Sequence, residues 1–280
     1  MPFVIRTEQV FVLSLIVFTT ALFILPDSFI SPDHGGTVLT ITTFLFGIIA
    51  GFYIVVTTTD YNSIKNVLAV ETAKLISLYQ NVRLYDLNAS GSLAERIDEY
   101  VRRNFDYEVI EYAHVTHIEF DSIVREIQVL PLMQDNSWLR EKIQEILGEI
   151  ITTRQQLTVL GTKTLSTFQW AVLYILGGLL ILSLYGLRTG ELFFDIVTVS
   201  ISCAVVLVLF LIRDLDLYTW NEKTFSIDTF ENVLLAIGKL PYYPSELIQS
   251  GRVSPEDEQY RVGVLTGGPH HERTIEVRSS

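Results

Sequence analysis

Cysteine is nearly absent from this chain: Cys203 is the only one in 280 residues. No intrachain disulfide can form, and no thiolate-built metal site is available. Cys203 lies in an apolar run, where it reads as a small packed hydrophobe. Positive charge is also scarce, with 20 Lys+Arg against 32 Asp+Glu, a net charge of −12 and no run of four basic residues. Phosphate backbones need a basic patch, so nucleic acid is excluded as a partner. A polybasic lipid anchor is excluded on the same ground. Gly-rich phosphate loops and nucleophile elbows are missing too. Glu111-x-x-His114, with His117 three residues on, is half of a di-iron motif, and the second Glu-x-x-His is not there. His270-His271 sits in a polar tail and reads as uninformative. The expectation is therefore no enzyme, no metal and no cofactor.

Long hydrophobic runs are what the chain has in excess. Residues 9–26 form a first apolar stretch; with only Arg6 before it and no A-x-A site after it, it reads as a retained span rather than a signal peptide. A short turn with Pro26, Asp27, Pro32 and Asp33 follows, running to His34. Residues 35–59 carry no charge over 25 positions. As a helix they reach about 37 Å, enough to cross a hydrocarbon core of about 30 Å. Residues 164–187 and 196–212 are uncharged over 24 and 17 positions. Asp195 stands at the start of the last of these runs, and Asp214 and Asp216 stand just beyond it.

Between the second and third runs, residues 60–163 hold 11 Lys+Arg and 16 Asp+Glu. Two heptad seams are visible there. Ile64, Leu68, Glu71, Leu75, Leu78, Val82 and Tyr85 follow a 4-3 spacing directly after the second span. Leu139, Ile143, Ile146, Ile150, Thr153, Leu157 and Leu160 do so directly before the third. They predict an antiparallel pair of stalk helices continuing the spans. Glu71 and Thr153 interrupt the seams, either to set register or to face water along an axis. Between the stalks, the spacing predicts a loop at 88–91 (NASG), a helix over 93–112 and another over 118–130 that stops at Pro131, with Asp135–Ser137 capping the last stalk helix.

After the membrane runs, Asp228-x-x-Glu231 reads as a capping box ahead of Phe230, Val233, Leu234 and Ile237, the stripe of a short amphipathic helix. The last 30 residues, rich in Pro, Gly, Ser and charge, read as a flexible tail. The expected fold is thus an all-α membrane protein: four transmembrane helices with a long helical cytoplasmic insert between spans two and three. Its parts are spans one and two (1–59), the stalk insert (60–163), spans three and four (164–213), a cytoplasmic amphipathic segment (214–249) and the tail (250–280). Arg6, Lys65, Lys163, Arg213 and Lys223 fall on one side of the spans and Arg188 alone on the other. The positive-inside rule then places both termini in the cytoplasm of a cell (plasma) membrane. In that topology the sequon Asn88-Ala89-Ser90 stays unglycosylated.

The second span carries the candidate site. Gly47-x-x-x-Gly51 is a small-residue motif for close helix packing. Thr40, Phe44, Gly47, Gly51 and Ile54 also fall on one face, as a pore lining would. An apolar lining can gate by dewetting.

FLFGIIAGFYIVV leading into AVETAKLISLY, and TTRQQLTVL leading into the third span, resemble the bestrophin-like domain family of four-span membrane proteins. More distantly, Gly51-Phe52-Tyr53 followed by IVVTTTDYN resembles the second span of the bestrophin anion channels. That resemblance implies a homo-oligomer, pentameric as those channels are, passing inorganic ions through a neck at or near Phe44, Ile48 and Gly51. Their calcium clasp finds no residue-by-residue match here; Asp214 and Asp216 lie in that region with unpersuasive spacing. Two functions remain open: an anion-permeable channel lined by span two, or a non-conducting scaffold or sensor whose helices bind partners.

Overall fold

In the computed structural model the described residues are 7–105, 107, 115–131, 137–160, 165–218, 227–251, 253–255, 257–266 and 273–279. Arg6, Glu111, His114, Asp135, Lys163, Lys223, His270 and His271 lie outside them. The chain is mostly helical and divides into two compact units. One holds residues 1–61 and 163–220; the other holds 62–162 and 221–280. Among the described residues, three helices are long and apolar enough to cross a membrane, and Gln9–Ile24 is a shorter apolar helix.

In the first unit, α1 (Thr7–Ile24) packs along α7 (Leu192–Asp216). Helix α2 (Pro32–Tyr85) begins in this unit, with Pro32 at its first position, where a missing N–H goes unnoticed. Helix α6 (Thr167–Gly186) starts at a capping box: Ser166 Oγ accepts from the Gln169 N–H, and Gln169 Oε1 accepts from the Ser166 N–H at 2.7 Å. The core consists of Phe46 and Ala50 of α2, Leu165, Leu173 and Leu180 near or on α6, and Val205 and Ile212 of α7. Gly177 lets this core close: a Cβ there would meet Val205 at 3.3 Å and Phe46 at 3.5 Å. Helix α7 extends about a turn beyond each end of its uncharged run.

The second unit takes α2 onward. There is no break at Thr59; α2 is a single helix of 54 residues, about 81 Å long. Every position of its heptad seam, from Ile64 to Tyr85, is buried. On α5 (Ser137–Leu160) the seam from Leu139 to Leu157 is buried as well. Lys74 pairs with Glu149 at 2.5 Å and Glu71 with Arg154 at 3.5 Å, so the two helices run antiparallel. The expected loop at 88–91 is instead the first turn of α3 (Leu87–Asn104). A single residue, Asp86, makes the break: it adopts φ −148°, ψ 109°, and its carboxylate accepts from the Asn88 and Ala89 N–H groups. Side-chain capping turned a turn-like tetrapeptide into a helix start. Helix α3 closes at Asn104, and α4 spans His117–Gln128.

The amphipathic segment forms α8 (Asp228–Ala236), with Phe230, Val233 and Leu234 buried and the Phe230 ring 5.7 Å from that of Phe105. Its expected capping box does not form. Ile227 occupies the N-cap, and Glu231 accepts from Tyr243 instead. The flexible-tail expectation is overturned. After α8 come β1 (Tyr242–Pro244), α9 (Ser245–Gln249), β2 (Gln259–Leu265) and β3 (Arg273–Ser279). They make a sheet of order β1-β2-β3, parallel then antiparallel. The chain is mostly helical, as expected, and this small sheet is an element the all-α reading did not include. Polar composition masked short strands, of which β1 finds its partner β2 only across α9, and Val262 at the centre of β2 is fully buried. The sheet is held to α3 by Arg261, whose guanidinium reaches Asp98 at 2.6 and 3.0 Å.

Candidate functional site

The two sides of α2 in the first unit differ sharply. Phe46 and Ala50 enter the core, with Leu39, Ile49 and Tyr53 half-buried beside them. The opposite side carries Thr40, Phe44, Gly47, Ile48 and Gly51, all exposed. Phe44 is 66% exposed and Ile48 55%. Ile54 stands at the margin between the two sides, half-buried against the core. The 3.6-residue period explains the division: positions 46 and 50 share a stripe, 44 and 48 lie across the helix from it, and 40, 47 and 51 flank it on one side.

A Cβ added at Gly47 or at Gly51 would have nothing within 4 Å. The close approach that Gly-x-x-x-Gly suggests is therefore not made with another described helix of this chain; Gly177 makes one instead. What Gly47 and Gly51 leave is a smooth, uncharged groove on the open side of α2. Threonines soften it without adding charge, since Thr40 and Thr59 donate their hydroxyls back to Gly36 and Val55 carbonyls four residues earlier.

Glu71 does not face a water-filled axis. It is fully buried and takes a 2.5 Å hydrogen bond from the Tyr100 hydroxyl. Arg154 donates to Tyr100 Oη, pairs with Glu71 and lies between the Tyr100 and Phe120 rings at 5.0 and 4.5 Å. Burial and the adjacent Glu71 hold the Tyr100 hydroxyl well above its usual range, so it remains a donor. Helices α2, α3, α4 and α5 each give one residue to this node. Glu71 signalled it in the sequence by interrupting a heptad seam. Arg154 was missed because Thr153, beside it, fits the spacing.

Two further sets were not legible from spacing. Arg188 donates to the Leu22 carbonyl at 2.8 Å, to the Leu25 carbonyl at 3.1 Å and to Asp27 at 2.7 Å, and lies 3.5 Å from Asp195. Ser28 hydrogen-bonds the Arg188 carbonyl through both its N–H and its hydroxyl. The turn after α1 is thus stapled to the α6–α7 connection. At the other end of α7, Asp216 accepts from the Leu165 N–H at 2.9 Å and the Trp170 indole N–H at 3.2 Å. Its two oxygens are engaged in fixing the start of α6. Among the described residues no cluster of three or more His, Cys, Asp or Glu could hold a metal. His117 opens α4, and its partners in the half-motif lie outside the described residues.

No curated protein matches the chain. Among solved structures, a mutant of a bacterial Bestrophin homologue from Klebsiella pneumoniae superposes with TM-score 0.58 at 14% identity, covering 82% of this chain and 99% of its own. A second mutant of the same homologue gives TM-score 0.56 at 13% identity, covering 84% and 99%. A structure described as a membrane protein gives TM-score 0.55 at 14% identity, covering 81% and 98%. These likenesses establish the fold. Residues 9–217 match the Bestrophin-like domain, and by that match the chain belongs to the Bestrophin-like family of membrane proteins.

Proposed function

We propose that this protein is an oligomeric, anion-permeable channel in which the open side of α2 lines the pore. The observation that carries the reading is the two-sidedness of α2. One side is occupied by the chain's own core, while the other presents Thr40, Phe44, Gly47, Ile48 and Gly51, with no neighbour among the described residues within 4 Å of a Cβ at either glycine. Copies arranged around an axis, pentameric as in the bestrophin channels, would turn that side inward. Phe44, Ile48 and Gly51 would then form an apolar neck, and Ile54 its margin. A neck without fixed charge passes ions by wetting and stops them by drying, so its width governs conduction. Both termini are cytoplasmic by the charge bias about the spans, and the membrane in this reading is the plasma membrane.

The test is halide flux from liposomes containing the purified full chain. The expected result is flux that Gly51→Leu abolishes by narrowing the neck, and that Phe44→Ala changes, while Phe46→Ala on the core side lowers thermal stability and leaves the permeating ion unchanged. Liposomes that stay tight although the protein is confirmed as an oligomer would instead favour a scaffold or sensor role, in which Gly51→Leu disturbs assembly and has no conductance to remove.

A further inference from the structure

Outside the family match, the small sheet has two unlike edges. On one, β1 is three residues long, all of them buried, and ends in Pro244, which has no N–H to offer. On the other, β3 pairs with β2 over seven successive residues without a bulge, and residues 274–279 are all exposed. Among the described residues no strand lies on its far side. An edge in this state presents a row of N–H and C=O groups to any chain able to pair with it. The usual protections are missing: β3, RTIEVRS, has no proline, no bulge and no lysine. Its charges, two arginines and one glutamate, are of both signs. One face of the sheet adds an apolar row at this edge, with Leu265, Ile275 and Val277 exposed. We propose that the free edge of β3 is an interaction surface for a second copy of this chain, whose own β3 adds to it antiparallel.

The strand's own sequence identifies the occupant. With β1 closed, β3 of one copy cannot add to β1 of the next, so copies do not chain; β3 on β3 uses the same patch twice and closes at two. The two-fold axis of such a pair is normal to the sheet and keeps each side chain on its own face. Each residue therefore lies opposite one of the same parity. With Glu276 on the axis, two glutamates stand opposite each other and repel; with Arg278 on it, two arginines do. With Ile275 on the axis, Glu276 faces Thr274 and no opposite charges meet. With Val277 on the axis, Glu276 of each copy lies across from Arg278 of the other, and Val277 meets Val277 on the other face. Within one chain Arg278 already donates to Glu276 at 2.7 Å. The four charged groups then alternate in sign around the axis, and charge and apolar contact select the same register. The pairing is independent of the channel reading, because it uses only residues beyond the family domain. In a ring of five, which has no two-fold axis, the contact joins one ring to another.

Oxidative cross-linking of the full chain in detergent tests the pairing. In a Cys203→Ala background, single cysteines replace residues 274–278 in turn; these positions are exposed, so the sheet tolerates them. The expected result is a covalent dimer that is strongest for Val277→Cys, where the two sulfurs face each other across the axis. Cysteines at position 275 stand four residues out of line, about 13 Å apart along the strands, beyond the roughly 7 Å that a disulfide spans. Ile275→Cys should therefore give at most about a tenth of the Val277→Cys yield. Charge reversal in the Val277→Cys chain is the second arm. Glu276→Arg gathers four arginines about the axis and should abolish the dimer, and adding Arg278→Glu restores the alternation and should restore it. A yield that peaks at Ile275→Cys or Glu276→Cys overturns the register and the charge argument with it. A profile without a peak, or a dimer indifferent to Glu276→Arg, overturns the pairing and leaves the edge to an extended segment of a different protein.

Discussion

At the scale of the residue, Arg188 shows how a side chain can look like an exception and be a fixture. Counted along the sequence, it is the one basic residue opposing the charge bias about the spans. In the fold it is almost fully buried, and its charge is matched by Asp27 and Asp195. Its donors also cap the final carbonyls of α1, at Leu22 and Leu25. A buried guanidinium with several partners supports geometry more than raw stability, but removing it strands what it satisfied. Arg188→Met should lower stability by about 2–4 kcal/mol, read as a fall in melting temperature in detergent. Lysine carries the charge without the planar fork, so Arg188→Lys should recover less than half of that loss; full recovery would show that charge alone matters. The opposite case is Gly51. Among the described residues nothing crowds it, so Gly51→Leu should leave the stability of the isolated subunit within about 0.5 kcal/mol of the parent. Its effect belongs to whatever the open side of α2 faces.

At the scale of the element, α2 and α5 illustrate what a heptad seam does and does not specify. A seam of period seven buries its residues equally well after a slip of seven, so hydrophobic packing alone leaves the register degenerate. Glu71, Tyr100 and Arg154 remove that degeneracy, because only one register brings Glu71 to Arg154. Replacing the node as a whole with Glu71→Leu, Tyr100→Phe and Arg154→Leu should keep the helices folded, whereas Glu71→Leu alone leaves Arg154 buried without its carboxylate and should cost about 3–5 kcal/mol. In a Cys203→Ala background, Lys74→Cys with Glu149→Cys should cross-link in the parent. Cross-links of Lys74→Cys with Lys142→Cys or Gln156→Cys, one heptad away, should arise only in the apolar triple variant. Their absence there would mean that the loops set register instead. The seams themselves were legible because burial has a period. The node's other members were not, since Tyr100 and Arg154 become meaningful only once the pairing of α2 with α3 and α5 is known. Asp86 and the β-strands escaped for related reasons. An N-cap depends on one side chain's local geometry, and Tyr242–Pro244 finds its partner at Arg261–Gly263 only across an intervening helix.

At the scale of the whole molecule, the family domain ends near residue 217, yet the chain after it folds back as α8 and a small sheet. The apolar spans were the most legible part of the sequence, because bilayer thickness sets their length. Which side they face rests on a handful of charges. The sequon offers an independent check: in the proposed topology, expression in cells that glycosylate secreted loops leaves Asn88 unmodified, and a glycan on Asn88, visible as a mobility shift reversed by glycosidase, would reverse it. The staple at Arg188 also says something about the order of events during synthesis. Its contacts with Asp27 and Leu22 close over more than 160 residues of chain. At about 5–20 residues per second, the turn at Asp27 waits roughly 8–32 s for Arg188 to be made. Through that interval the turn after α1 has no cap, and the side of α2 destined for α6 and α7 has no protein to cover it. Lipid, or a chaperone of the insertion machinery, must occupy that side first and be displaced later, so the last step of assembly in the membrane is an exchange of neighbours rather than a collapse.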